Sequence, residues 1–259
     1  MKLVVIKPLL IIGAAADKIG KGDLTVTASV KSEDEIGSLA DRINTMIQGL
    51  RERLHLTKFV SEETVGAVKG KDMEGVSLGG ERKDATVLFS DIRNFTSYSE
   101  KVEPEEVIDM LNSYLNTQAE VVKNNGGDID KFVGDELMAV FKGKSMVEKA
   151  VKCSVEIQKK IAVMNKKNKK NIEVGIGINA GPMVMGAMGS KDRMDYTVLG
   201  DNVNLGARLC SAAKPGEIII SKRAVRFLPK SHSVDLRPLD PLKVKGKKDV
   251  IEVFSITLD

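Results

Sequence analysis

At 259 residues, with 42% hydrophobic and 29% charged side chains, the chain is long enough for one substantial core and a smaller module, and its composition excludes a disordered or fibrous protein. Its 40 basic and 36 acidic residues are interleaved, the formal net charge is only +4, and aromatics make up 4% with no Trp, so a nucleic-acid partner is not expected. Two cysteines, Cys153 and Cys210, exclude a disulfide scaffold and read as buried packing residues in a reducing compartment, and His55 and His232 are too few for a histidine-based metal site.

The apolar stretch from Leu3 to Ala16 is interrupted by Lys7 and Pro8 and falls short of the ~20 residues that cross a bilayer. It also lacks the small-residue cleavage pattern of a signal peptide. Leu9, Ile12, Ala16 and Ile19 recur at helical spacing, with Pro8 where a first turn tolerates it. Gly20, Gly22 and the run from Leu24 to Val30 read as a connector. Asp34 and Glu35 load the start of a second helix with negative charge, and Ile36, Leu39, Ile43, Met46 and Leu50 alternate steps of three and four along it. A seam that narrow on two short helices points to a dimeric coiled-coil bundle, with a helical hairpin packed on a downstream domain as the alternative.

Lys7-Pro8-Leu9, Gly22-Asp23-Leu24 and Asp34-Glu35-Ile36-Gly37 together resemble a HAMP domain over roughly residues 6 to 54. The resemblance implies a parallel four-helix bundle that relays a conformational signal from a membrane helix upstream. Only seven residues precede Pro8, so the sensor and membrane anchor are expected outside this chain. The full-length protein would then sit at the cytoplasmic face of the inner membrane, and this fragment would be soluble. Leu54 follows Leu50, and Leu50 follows Met46, in two consecutive steps of four; that stutter reads as the hand-over to an output domain. The expected boundaries are 1–57 for the HAMP module, 58–82 for a linker helix and connector ending in Ser77-Leu78-Gly79-Gly80-Glu81, and 83–259 for the output domain.

From Asp84 onward the pattern changes. Ala85 to Phe89 reads as a buried strand ending at Ser90-Asp91, followed by a polar turn at Arg93-Asn94 and by Thr96 as a helix N-cap. Pro104 opens a helix to about Asn124, which Gly126-Gly127 ends. Residues 128 to 141 carry two apolar runs on either side of Gly134-Asp135, the spacing of a β-hairpin with a tight turn. Glu148 to Asn165 reads as a helix, Lys166 to Lys170 as a solvated loop, Glu173 to Asn179 as a strand, Gly181 to Gly189 as a turn region rich in Gly and Met, and Asn202 to Ala213 as a helix. Ile218 to Ser221, Lys243 to Lys245 and Ile251 to Ile256 supply late strands, so the domain is expected to be α/β or α+β.

Asp91 and Asp135 each stand at a strand end beside a sharp turn, and they meet if the first strand pairs next to the hairpin. Two Asp side chains bridging Mg²⁺ or Mn²⁺ are what phosphate chemistry commonly uses, and amides from Arg93 to Thr96 at a helix start suit phosphate oxygens. Other residues read as structural: Asp201 as a helix cap, Asp128 and Asp130 as solvent-facing hairpin residues, and Met183, Met185 and Met188 as gap or interface fillers.

Phe89-Ser-Asp-Ile-Arg-Asn-Phe-Thr96, Lys131-Phe-Val-Gly-Asp135 and the run from Asp195 to Arg208 resemble, in the right order, the three central motifs of class III nucleotidyl cyclases, above all the HAMP-linked adenylyl cyclases of bacteria. The resemblance covers residues 82 to 256 and implies a ferredoxin-like α+β catalytic domain that works as a homodimer on a nucleoside triphosphate. It also implies that Asp91, Asp135 and the Ile92 carbonyl hold two divalent cations, Mg or Mn, and that Asn94, Phe95 and Thr96 face the triphosphate. Asn204 would orient the ribose, Arg208 would stabilise charge on the pentavalent phosphorus, and Lys245 would contact the terminal phosphates. Asn204 and Arg208, four apart on one helix, share a face. Gly206 stands where a small residue such as Ala is usual, at a helix cost of ~1 kcal/mol.

For the base, Lys131 as donor and Thr197 as acceptor complement N1 and the 6-amino group of adenine, whereas the N1 donor of guanine would go unpaired. Many adenylyl members carry Asp where this chain has Thr197. The expected reaction is conversion of ATP to 3′,5′-cyclic AMP. The alternatives are a catalytically silent regulatory or dimerisation module, which the filled catalytic positions disfavour, and a guanylyl cyclase, which the Lys131 and Thr197 pair disfavours. Lys131 and Asp135 lie roughly 13 Å apart along an extended strand, too far for one small site. The two-fold dimer of the family removes the difficulty, the Asp of each hairpin serving one site and its Lys the other.

Overall fold

The computed structural model describes residues 5–69, 78–190, 193–230, 232, 234–243 and 250–257. The chain divides into two units, Met1–Val60 and Ser61–Asp259. In the first, helix α1 (Lys7–Gly20) is joined by an extended connector to α2 (Glu35–Leu56), which ends in a 3-10 turn at Thr57–Phe59. Asp34 caps α2, its carboxylate accepting from the Ile36 and Gly37 amides at 3.0 and 3.3 Å. The connector is strapped to α2 by two side chains. Asn44 both accepts from the Ala28 amide and donates to the Ala28 carbonyl, and the Arg51 guanidinium donates to the carbonyls of Leu24 and Val26.

Ile12, Ala15, Ala28 and Ala40 form the buried core of this unit, with Val26, Val30, Ile36 and Ile43 packed around it. Leu9, Leu39, Met46 and Leu54, all on the apolar seam read from the sequence, stay 41 to 54% exposed in the single chain. Among the described residues no helix is long and apolar enough to cross a membrane.

The second unit opens with α3 (Glu62–Lys69) and continues β1 (Gly79–Ile92), α4 (Phe95–Ser99), α5 (Pro104–Asn124), β2 (Asp128–Val133), β3 (Glu136–Phe141), α6 (Met146–Asn168), β4 (Val174–Gly189), β5 (Met194–Leu199), α7 (Asp201–Ala212), β6 (Ile218–Ser221), α8 (Lys222–Val225), β7 (Leu236–Pro238) and β8 (Val253–Ile256). These strands make one sheet in the order β2-β3-β1-β4-β6-β8-β7, with β5 paired to β4. All pairings are antiparallel except β4 with β6, a mixed α+β sheet as expected.

Alternation along β1 sorts its side chains to two layers. Leu88 packs with Tyr114, Val121, Ala150 and Ile157 of α5 and α6, while Val87 and Phe89 on the other face join Val203 and Cys210 of α7. Cys153 and Cys210 are free thiols, each pushed up to about 12 by burial, which suits packing residues.

Several elements differ from the sequence reading. The segment Gly181–Gly189 is not a turn but the second half of β4, whose partners in β1 run from Gly79 opposite Ala187 to Ile92 opposite Val174. β1 correspondingly starts at Gly79, inside the stretch read as a connector. Gly181 and Gly189 lie at φ 149° and 138°, a region open to Gly, and cross-strand hydrogen bonds here outweigh its low strand preference. Met183 and Met185 are buried in the sheet, as fillers should be. α6 runs on to Asn168, and Lys170 donates to the Tyr98 hydroxyl and pairs with Glu106, both at 3.3 Å, instead of lying in a solvated loop. The expected strand at Lys243 to Lys245 falls mostly outside the described residues; Leu242 forms an isolated bridge with Ile251.

Candidate active site

The sheet brings the two predicted carboxylates together. β1 lies antiparallel to β3 in a register that ends with Asp91 opposite Glu136, so the end of β1 stands beside the hairpin turn. Gly134 holds that turn with a left-handed φ of 61°, a conformation glycine adopts without penalty, and Asp135 follows it. The Asp91 and Asp135 side chains are near enough for the charge of one to act on the other. Burial, and next the charge of Asp91, push Asp135 up to about 6. Burial and the same two charges push the neighbouring Glu136 up to about 7. The Arg93 guanidinium answers part of this charge, standing 2.6 Å from the Asp91 carboxylate. Glu136 and Arg93 were not read as site side chains; the cross-strand register that recruits Glu136 is not visible along one strand.

Beyond β1, the Arg93 amide donates to the Glu173 carbonyl at 2.8 Å and is therefore not available to phosphate. The helix cap is Asn94, in a left-handed conformation with φ 59°, rather than Thr96, which lies inside α4. Asn94, Phe95 and Thr96 thus form the start of a short helix, where the first amides lack partners within the helix.

Two carboxylates crowded together with limited solvent are a donor set suited to a hard divalent cation, which would neutralise the repulsion that raises Asp135. Ile92 has its side chain in the core, 3% exposed, so only its carbonyl can be a ligand. Among the described residues no group of three or more His, Cys, Asp or Glu is arranged to hold a metal ion.

The hairpin also carries Lys131, and here the solvent-facing reading of Asp130 is wrong. A bulge in β2 makes the pairing jump from Ile129 opposite Ala139 to Lys131 opposite Met138, leaving Asp130 as the extra residue. Its side chain is 5% exposed; its Oδ2 accepts from the Thr197 hydroxyl at 2.8 Å and lies 3.4 Å from the Lys131 ammonium. Asp128 is likewise engaged, accepting from the Glu62 and Glu63 amides at 3.3 and 3.1 Å and so capping α3. The two predicted base-reading residues, on β2 and β5, therefore meet at one carboxylate.

Asn204 is exposed and Arg208 half-buried, on the face of α7 turned away from Leu205, Leu209 and Cys210 in the core. Among the described residues neither side chain has a hydrogen bond or ion pair. Between them, Gly206 is required by packing: a Cβ there would stand 2.7 Å from Val87 Cγ2 and 3.0 Å from Phe89 Cδ2. The cap of α7 is Gly200, not Asp201, which occupies the first turn. Asn202 anchors that turn by donating to the Pro182 carbonyl at 2.7 Å and accepting, through its own carbonyl, from Asn179 at 2.7 Å. Lys245 lies outside the described residues.

Comparison with known proteins identifies this arrangement. Residues 80–257 match the family described as the adenylate and guanylate cyclase catalytic domain, and residues 3–52 match the HAMP domain. The chain belongs to the class III nucleotidyl cyclases. It is 34% identical over 260 residues to an adenylate cyclase of Anabaena cylindrica, covering 92% of this chain and 52% of that protein. It is 35% identical to the terminal-differentiation-specific adenylate cyclase of Dictyostelium discoideum, over 78% of this chain and 10% of that one. The chain thus spans about half or less of these curated relatives. Among solved structures, the adenylyl cyclase CyaB of P. aeruginosa matches with a TM-score of 0.66 and 36% identity over 70% of this chain and 96% of its own. The guanylyl cyclase Cya2 matches with a TM-score of 0.63 and 36% identity over 69% and 94%. Equal identity to an adenylyl and a guanylyl cyclase leaves the choice of base to local residues of the cyclase unit.

Proposed function

We propose that the protein is an adenylyl cyclase, converting ATP to 3′,5′-cyclic AMP and pyrophosphate, active as a homodimer and regulated through its HAMP unit. The observation that carries this reading is the pair of meeting points on one hairpin: Asp135 against Asp91 at the turn, and Lys131 with Thr197 at Asp130. Asp91, Asp135 and the Ile92 carbonyl would hold two divalent cations. When bound, these supply charge neutralisation of the triphosphate and a lowered pKa for the ribose 3′-hydroxyl.

The chain's own groups do the rest. Lys131 donates to adenine N1 and Thr197 accepts from its 6-amino group. The Asn94, Phe95 and Thr96 segment takes phosphate oxygens, and Lys245 reaches the terminal phosphates. Asn204 orients the ribose so that its 3′-oxygen faces the α-phosphorus. Arg208 donates to the oxygens of that phosphorus as charge accumulates, a task for its planar fork.

Dimerisation is supported by the hairpin tip, where Phe132 and Val133, between the two functional residues, are 47% and 58% exposed, and by the exposed seam of Leu39 and Met46. In the full-length protein the HAMP unit would follow a membrane helix at the cytoplasmic face of the inner membrane.

The test is to incubate the purified chain with ATP or GTP and Mn²⁺ or Mg²⁺ and to identify the cyclic product. Cyclic AMP well above an Asp91→Ala control is expected. No product above that control would replace the enzyme by a silent module, and cyclic GMP as main product would make it a guanylyl cyclase.

A further inference from the structure

A threonine hydroxyl is ambiguous as a reader of purines, because it both donates and accepts. Left to rotate, Thr197 could accept from the 6-amino group of adenine or donate to the 6-oxo group of guanine. Its surroundings remove that freedom. Thr197 is 7% exposed on β5, and its hydroxyl proton points at Asp130 Oδ2, 2.8 Å away. The same carboxylate faces the Lys131 ammonium at 3.4 Å. Both neighbours are donors, and a carboxylate oxygen meets them with lone pairs. The bulge at Asp130 makes this possible, since in a regular strand adjacent residues point to opposite faces.

We propose that Asp130 is the positioning residue that sets ATP over GTP: it fixes the Thr197 hydroxyl proton inward, so that only lone pairs face the purine. The 6-amino group of adenine then finds an acceptor, while the 6-oxo group of guanine meets lone pairs and goes unpaired, a mismatch that discriminates strongly. Lys131 is drawn to the same point and keeps its remaining protons for the N1 acceptor of adenine. The proposal rests on the reading of Lys131 and Thr197 as the base contacts and assigns them a shared partner that does not touch the nucleotide.

The experiment measures kcat/KM for ATP and for GTP in the full chain with Mn²⁺, in the wild type, Asp130→Ala, Asp130→Asn, Thr197→Val and the Asp130→Ala, Thr197→Val double variant. Asp130→Ala is expected to lower the ATP-to-GTP ratio about tenfold or more, with part of the change a gain for GTP. Asp130→Asn keeps an acceptor oxygen where both Lys131 and Thr197 require one, and should hold the ratio within about threefold. In the Thr197→Val background Asp130→Ala should no longer move the ratio, which separates proton positioning from support of the strand. An unchanged ratio in Asp130→Ala, or an equal shift with and without the Thr197 hydroxyl, overturns the role of Asp130. A collapsed ratio in a folded Asp130→Asn protein overturns it too, and that near-isosteric variant decides the matter if Asp130→Ala does not fold. A wild type that prefers GTP overturns the adenylyl reading itself, a result visible before any variant is compared.

Discussion

The Arg93 guanidinium lies 2.6 Å from the Asp91 carboxylate, whose charge also acts on Asp135 and Glu136 across the β1–β3 register. Arg93 itself is largely covered, its side chain 15% exposed, and its Nη2 also lies 3.7 Å from Cys210 Sγ. Arg93→Ala therefore removes a positive group that acts on Asp91, Asp135 and Glu136. Between the small worth of surface pairs and the large cost of breaking buried ones, ~2 kcal/mol of stability should be lost, read from urea midpoints of the metal-free protein. Added Mg²⁺ or Mn²⁺ should recover most of it, because a cation supplies the missing charge.

Asp135 at about 6 and Glu136 at about 7 stand above the ordinary values of 3.8 and 4.5. The folded state thus holds protons that the unfolded chain releases. The resulting stability is complete below pH 4 and is lost as the pH rises through 6 to 7. With both groups partly exposed to solvent screening, the loss should be ~1 kcal/mol. Thermal unfolding in chelator should show a lower Tm at pH 8 than at pH 5. Divalent cations, which bind the deprotonated pair, should raise the Tm more at pH 8 than at pH 5.

Gly206→Ala tests whether that glycine is a defect or a fit. Helix propensity alone favours Ala by ~1 kcal/mol. Against it, the new methyl group would meet Val87 and Phe89 at 2.7 and 3.0 Å, and overpacking of this kind costs ~1–3 kcal/mol. The second effect should win, giving a lower denaturation midpoint and a reduced rate, since α7 also carries Asn204 and Arg208.

Asp128 ties the hairpin to α3. It caps the helix through the Glu62 and Glu63 amides, and two ion pairs, Lys123 with Glu62 and Lys142 with Glu63, add to the contact. Asp128→Ala should cost ~1 kcal/mol, as loss of an N-cap does. Hydrogen exchange should show faster exchange over residues 62–69 while β1 and β4 keep their protection.

If one hairpin serves two sites, Lys131→Ala and Asp135→Ala chains are each inactive alone yet complement when mixed. A heterodimer assembles one intact site of two, so about half the wild-type activity per dimer should return. Inactive mixtures in which heterodimers are demonstrated would place both residues in the same site.

Local pattern carries far in this chain. Alternating apolar residues around Gly134-Asp135 specify the hairpin, the strand end before Arg93 exposes Asp91, and a spacing of four puts Asn204 beside Arg208 on α7. The capped start of α2 at Asp34 and its periodic apolar residues are equally local, which is why the HAMP unit was legible. What depends on neighbours distant in sequence was not. The Gly and Met stretch of β4 is a strand because Glu81 and its neighbours pair with Met185 and its neighbours across the sheet. Gly206 is needed because β1 passes beneath it. Asp130 looked like a solvated hairpin residue because composition does not announce a bulge, and only the approach of β5 gave its carboxylate Thr197 as a partner. The sequence by itself determined the family, through motifs that resemble those of the cyclases, and residue type and spacing set which charges and faces were available to a site. Only the tertiary structure decided that Lys131 and Thr197 meet at Asp130, because contacts between strands are fixed by register and packing rather than by order along the chain.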